Sequence, residues 1–277
     1  MTSDNTTSFD MDSYARSLYL SNFLRDPIIH KAIETLSLVP GSRGLDVGCG
    51  IGSQSLKLAE VVAPDGHVSG LDLSTDMIAY AREAAARSSV SNNVSFRVGD
   101  MRAIPYPDDT FDWCWSVDCA GYAPLEPLPV INELKRVVKP GGLVSIMAWS
   151  SEQLLPGYPL LEARLRATKA GILPFSVGTA PSLHFLRTLC RFCEAGLQDL
   201  VAQTFVGEVQ APLSNEEREA LIDLFRMRWP GVQTELADEE WDQFQRLTDP
   251  ESQDFILNND AYYAFFTYTM FRGRLDN

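Results

Sequence analysis

The sequence predicts an α/β protein: a doubly wound, mostly parallel sheet with an antiparallel closing strand and helices on both faces. Three observations predict it. Short apolar runs alternate with helical patterns from Gly41 to Trp149, the signature of a parallel sheet covered on both sides. A glycine turn, Gly48-Cys49-Gly50-Ile51-Gly52, links the first apolar run to the first helix, as needed where backbone takes positive φ or a ligand lies against it. Finally, Asp46, Asp72 and Asp100 close three successive apolar runs. In such a sheet ligands collect at the carboxyl ends of the strands, and half-buried carboxylates there must find partners.

Residues 1–11 are polar and acidic and read as a disordered lead without the basic–apolar pattern of a signal segment. Residues 12–39 read as a helical cap in two pieces, parted near Asp26-Pro27 because proline favours the first turn of a new helix. Residues 40–277 form the main domain. Its strands are expected at 45–47, 68–73, 94–98, 111–117 and 143–149, with helices at 53–63, 76–87 and 128–138. Ser74 or Thr75 caps the second of these helices, and Lys139-Pro140-Gly141-Gly142 stops the third.

Beyond Trp149 the regularity changes, and helical cap insertions are expected at about 151–180 and 210–260. The first mixes a helix near 160–170 with Gly/Pro-rich loops. Residues 182–195 read as a helix, 197–209 as a strand, and 262–271 as the aromatic, β-prone closing strand. Between those last strands two acidic helical patterns carry Leu221, Leu224, Phe225, Trp241, Phe244 and Leu247 at core-facing spacing. The acids between them read as a solvated face. Phe225, Trp229, Trp241 and Phe244 either wall an apolar pocket or pack as core.

Composition narrows the function. Of 277 residues 45% are hydrophobic, enough for a core, yet no run approaches the roughly 20 apolar residues of a membrane span. The net charge is −14 and the pI about 4.6, so the basic patch that a phosphate backbone requires is not visible. Nucleic acid and membrane are therefore not expected partners. Five cysteines, an odd number, suit a reduced, cytoplasmic protein with buried thiols. Cys190-x-x-Cys193 has the spacing of a redox or zinc pair. It sits in an apolar helical pattern with no second ligand pair, so core packing is expected and no metal.

Asp46 followed by Gly48-x-Gly50-x-Gly52 resembles the first motif of class I S-adenosylmethionine (SAM) methyltransferases. The resemblance implies a Rossmann-like fold with SAM as cofactor and a loop, Cys49 included, that holds its methionine part. Asp72 lies about 20 residues beyond the last glycine, the distance at which an acid meets ribose hydroxyls. The resemblance gives it that role, with Leu73 beside it. Met77 either lays its sulfur on the adenine or packs as core. Asp100 would accept from the adenine amino group while the N–H of Met101 reaches a ring nitrogen. Ser116 and Val117 end the fourth strand on the cofactor side. Tyr14 and Tyr19 fit a flap over the site as well as plain packing on the domain. The runs Ile104-Pro105-Tyr106-Pro107-Asp108-Asp109-Thr110-Phe111-Asp112 and Glu133-Leu134-Lys135-Arg136-Val137-Val138-Lys139-Pro140-Gly141-Gly142 resemble ubiquinone/menaquinone-biosynthesis C-methyltransferases and the wider methyltransferase type 11 group. The matched motifs span residues 43–149 and specify cofactor rather than acceptor.

SAM-dependent methyl transfer to a small organic acceptor, leaving S-adenosylhomocysteine, needs little from side chains. The sulfonium methyl is already electrophilic, so positioning and exclusion of water supply much of the rate. A base is required only when the acceptor must lose a proton. Of the three histidines, His67 abuts a turn and His30 lies in the N-terminal helix. His184 lies where related enzymes build the acceptor pocket, as a catalytic base or as a satisfied structural histidine. Asp118, Tyr122 and Trp149 join it as candidate acceptor contacts. The 210–260 insertion is expected to close that pocket together with the Tyr14–Tyr19 helix. Two other functions stay open at this level. A nicotinamide-dependent oxidoreductase is disfavoured by the glycine spacing and by the lack of a Tyr-x-x-x-Lys pair. A SAM-binding protein without turnover has no distinguishing sequence mark.

Overall fold

In the computed structural model, residues 13–122 and 127–277 are described; the expected lead at 1–11 and the first residue of the cap lie outside them. Parallel strands buried on both faces read as near-continuous apolar runs. That is the pattern of β1 (Arg43–Val47), β2 (His67–Asp72) and β4 (Phe111–Val117). With β3 (Val94–Val98), β5 (Val138–Gln153), β6 (Gln198–Gln210) and β7 (Tyr263–Arg274) they form a seven-stranded sheet. Its order is β3-β2-β1-β4-β5-β7-β6. Only β7 runs antiparallel to its neighbours. The order reverses at β1, which pairs with both β2 and β4, so a crevice opens at their carboxyl ends.

Helices α2 (Ser53–Val62) and α3 (Thr75–Ala86) cover one face. Their Leu58, Ala59, Val62, Ile78 and Ala81 share a core with Trp113 and Trp115. Helices α4 (Pro127–Val137) and α6 (Thr188–Glu194) cover the other, where Ile131, Leu134 and Phe192 pack with Phe111 and Cys114. Strand alternation would put Phe111 and Trp113 on one face; a register shift between them sends them to opposite sides. Arg136 binds Glu133 through two contacts at 2.8 Å and also bonds the carbonyls of Ile104 and Tyr106. The run from Glu133 to Gly142 thus stitches α4 to the lead-in of β4.

The N-terminal cap differs from expectation. It is one helix, α1 (Ser13–Leu36), running through Pro27. Proline leaves the Phe23 carbonyl without its helical donor. The turn just before the proline is held by two ion pairs, Arg25 on Asp118 and Asp26 on Lys57. Its buried stripe, including Leu20, Leu24, Ile28 and Ile33, also continues across the proline and packs on α7 and β6.

Helix α5 (Pro159–Arg166) is shorter than its pattern, ending in a turn where the N–H of Gly171 meets the Thr168 hydroxyl at 3.0 Å. Residues 182–187 form two tight turns ahead of α6. α6 buries Thr188, Arg191 and Phe192, which leaves Cys190 and Cys193 on its exposed side. The expected core packing of that pair is therefore absent, and all five thiols are free. Because β6 runs parallel to β5, its end at Gln210 opens onto the carboxyl ends of the sheet. The excursion from there to β7 carries α7 (Asn215–Arg228) and α8 (Asp238–Thr248). Helix α7 starts with a reciprocal cap between Ser214 and Glu217. Phe225, Trp229, Phe244 and Leu247 are buried core, and Asp238, Glu239 and Asp242 face solvent.

Candidate active site

The glycine turn after β1 builds the first cavity. Gly48, Gly50 and Gly52 have φ of 76°, 51° and 82°, the left-handed region that glycine enters without steric cost. A Cβ on Gly48 would lie 2.3 Å from the Cys119 side chain. The N–H groups of Gly48 and Cys49 both donate to the Leu71 carbonyl, at 2.7 and 3.0 Å. Asp72 fixes the next residue: Oδ2 accepts from the Gly50 N–H and Oδ1 from the Ser74 N–H, each at 2.9 Å. Ser74 in turn caps α3 by accepting from the Met77 N–H at 3.3 Å.

This cavity, of about 240 Å³, is walled by Gly48–Ile51, Asp72, Met77 and residues 117–119. Ser53, Gln54 and Ser74 extend that side, and one face of α1 walls the other with Tyr14, Leu18, Asn22 and Arg25. Asn22 donates to the Ser53 hydroxyl at 2.9 Å. Arg25 has a buried Nε with no hydrogen-bond partner. Burial pushes the Cys119 thiol up to about 12 and raises that of Cys49 still further. Both stay protonated and are not nucleophiles.

Several expected cofactor contacts lie elsewhere. Asp46 is buried behind the turn, with Oδ2 accepting from the Ser55 hydroxyl at 2.6 Å. Burial raises its pKa to about 7 against the pull of that bond. The Ser116 hydroxyl donates to the Val47 carbonyl and accepts from the Ala120 N–H, so it too braces strand ends. Asp100 is gripped by Arg102, two residues on, through contacts at 3.0 Å. That bonding holds its carboxyl below the usual range. The Met101 sulfur rests 3.8 Å from the Cys119 sulfur. Tyr19 is 49% exposed and Leu73 68%, and neither lines the cavity. Tyr19 instead meets Phe23 edge to face. Leu18 joins Tyr14 on this wall, as its spacing of four suggests; sequence reading missed Asn22, Arg25, Ser74 and Cys119, although Asn22 lies a further four residues along the same face.

A second cavity, of about 290 Å³, adjoins the first along the loop after β4. Asp118 lines the first cavity and Gly121 and Tyr122 the second. Asp118 has φ 51°, uncommon without glycine though tolerated best by Asn and Asp. It accepts from Arg25 at 3.2 Å, from the Tyr268 hydroxyl at 2.8 Å and from the Trp149 N–H at 3.0 Å. The Tyr122 hydroxyl donates to the Trp149 carbonyl at 3.2 Å. Burial, together with Asp118, raises its pKa and keeps it a phenol. Trp149 stacks on Phe266 with ring centres 4.9 Å apart. The other walls come from residues 166–186 and from Arg228. That segment, rather than α7 and α8 as expected, builds most of this cavity. His184 lines it with Nδ1 accepting from the Leu186 N–H at 3.2 Å. That bond occupies Nδ1 and leaves Nε2 as the uncommitted ring nitrogen.

Among the described residues no group of three or more His, Cys, Asp or Glu could hold a metal ion. None of their helices is long and apolar enough to cross a membrane.

A methyltransferase-domain profile matches residues 38–177. Demethylmenaquinone methyltransferase of Desulfitobacterium hafniense is 34% identical over 206 residues, covering 68% of this chain and 78% of that protein. A sterol 24-C-methyltransferase of Gibberella zeae is 30% identical over 138 residues, covering 50% of this chain but only 35% of its own length. Among solved structures, a SAM-dependent methyltransferase from Aquifex aeolicus superposes with TM-score 0.50 at 23% identity. That match covers 66% of this chain and 88% of the other.

Proposed function

This chain belongs to the methyltransferase-domain family of SAM-dependent enzymes, and on that premise we propose that it methylates a small organic acceptor, releasing S-adenosylhomocysteine. The observation that carries the reading is the pairing of two cavities across residues 118–122, one walled by the glycine turn and Asp72, the other by aromatic side chains. The cofactor's sulfonium supplies an electrophilic methyl group. The residues fit it. A Cβ at Gly48 has no room, Asp72 can accept from ribose hydroxyls, and Met77 offers a polarizable contact to a base. Arg25, paired with Asp118, adds a cation to the wall of the same cavity, which suits the carboxylate of the amino-acid end.

The side chains then act by placement. Asp72 orients the glycine turn through Gly50 while facing the cavity. Asp118 holds α1, β7 and Trp149 in one frame, so the wall between donor and acceptor is fixed before either binds. Cys119 and Tyr122, held protonated by burial, do not compete with the acceptor for the methyl group. In this reading residues 40–277 are the catalytic unit, 12–39 its cap, and the excursion near 151–180 a main part of its acceptor side, with Arg228 the contribution of the excursion near 210–260. The net charge of −14 favours a freely diffusing acceptor over nucleic acid, and the free thiols favour a cytoplasmic setting. The test is release of S-adenosylhomocysteine across a panel of small acceptors, with melting in the presence of SAM or NAD. SAM alone should raise Tm. Protection by NAD instead would restore the oxidoreductase reading, and SAM binding without turnover the non-catalytic one.

A further inference from the structure

The second cavity holds three charged side chains, and two of them satisfy each other. Glu152, buried, accepts from Arg228 at 2.9 Å and from the Trp149 indole. Arg228 gives its remaining donors to the carbonyls of Ala170 and Gly171, at 3.1 and 2.8 Å. The third is Arg166, at the end of α5. It lines the cavity half-buried and forms no hydrogen bond or ion pair among the described residues. Its field reaches Glu162, one turn earlier. Glu162, however, is buried and turns its carboxylate to the N–H groups of Leu154 and Leu155, so no ion pair forms between them.

The Arg166 nitrogens are not sealed off in the protein, so an oxyanion entering the cavity meets a guanidinium whose donors are not already committed. In a chain of net charge −14 carboxylates are plentiful, yet among the described residues none pairs with it. The planar fork of arginine matches a carboxylate or phosphate through two parallel hydrogen bonds. Around it stand Tyr122, Trp149, Phe175 and Phe185, walls suited to a flat ring. At about 290 Å³ the space falls just under the usual range for ligand pockets, roughly 300–1,000 Å³, so it suits a compact occupant. We propose that the acceptor is a compact aromatic oxyanion, its carboxylate or phosphate paired with Arg166 and its ring against Tyr122 and Trp149. This rests on the methyl-transfer reading and names the acceptor class. Arg166 comes from α5 and Tyr122 from the loop bordering the cofactor cavity, so anchor and methyl-accepting end belong to different walls.

The test uses the full chain loaded with S-adenosylhomocysteine. Three ring-matched probes are titrated by calorimetry: 4-hydroxybenzoate, 4-hydroxyphenyl phosphate and the uncharged 4-hydroxybenzamide. At least one anion should bind about tenfold or more tighter than the amide, as charge-assisted pairs do, and which anion wins identifies the oxyanion. Arg166→Gln should erase that preference while leaving Tm and S-adenosylhomocysteine affinity in place. Arg166→Lys should keep part of it, having the charge without the fork. Equal affinity for anions and amide, a preference that survives Arg166→Gln, or binding of no probe by the loaded protein overturns the inference. Failure of the unaltered chain to bind S-adenosylhomocysteine overturns the methyl-transfer reading first, and this inference with it.

Discussion

The guanidinium of Arg25 lies 3.2 Å from the carboxylate of Asp118, joining the N-terminal helix to the end of β4. Both are largely buried, with side-chain exposures of 13% and 25%. One contact thus ties the cap to the wall shared by the two cavities.

Arg25→Met should cost stability and cofactor affinity together. It strands Asp118 with a buried charge, a penalty of about 1–3 kcal/mol, and removes a cavity-wall donor. Urea unfolding and SAM calorimetry on the same variant check this. Unchanged values in both would mean the pair is ornamental.

Asp72→Ala should keep the sheet and weaken SAM binding by about 1.5–3 kcal/mol, the worth of charge-assisted hydrogen bonds. Asp72→Asn should fall between, because its amide oxygen can still take the Gly50 N–H. Circular dichroism verifies the fold, and calorimetry the loss.

Asp46 sets a pH dependence of stability. Its folded pKa is about 7 against an ordinary 3.8, so between those values the folded state binds the extra proton. Stability contributed by this group is full below about pH 4 and is lost as pH rises through about 7. Glu162 is raised in the same direction by burial, so the comparison must be with a variant. Asp46→Asn should flatten the decline between pH 4 and 7 and be at least as stable as the unaltered chain at pH 8. A parallel pH profile for the two proteins would show that Asp46 stays ionised.

Arg228→Met should leave Glu152 buried without its cation, destabilising the fold by about 3–5 kcal/mol. Acceptor use should fall more than SAM affinity, since Arg228 lines only the second cavity. Removing the whole excursion after β6 is a blunter test, because α7 also covers the apolar stripe of α1.

The cofactor side was legible because its determinants are local. Strand, turn, acid and helix cap follow one another between residues 43 and 77, and each leaves a mark within a few positions. What failed to show depended on partners remote in the chain. Pro27 reads as a break until the ion pairs of Arg25 and Asp26 just before it, and a buried stripe that continues past it, hold the helix through it. Asp100 sits at a strand end as the pattern requires, but Arg102 lies close enough to claim it. Cys190 and Cys193 look apolar by neighbourhood, yet a seven-residue helix has one buried face and Thr188, Arg191 and Phe192 occupy it. The second cavity left least trace, since residues 166–186 mostly lack a period from which to read a face.

Five consecutive residues, 118–122, separate the two cavities, and Asp118 anchors them to three other segments. An occupant on one side therefore presses on the same short partition that shapes the other. Thermodynamic linkage makes such an effect mutual: the factor by which the cofactor alters acceptor affinity is the factor by which the acceptor alters cofactor affinity. Under the proposed assignment of the two cavities, measuring that factor from either side reports how much the partition, with Asp118 at φ 51°, passes from one ligand to the other.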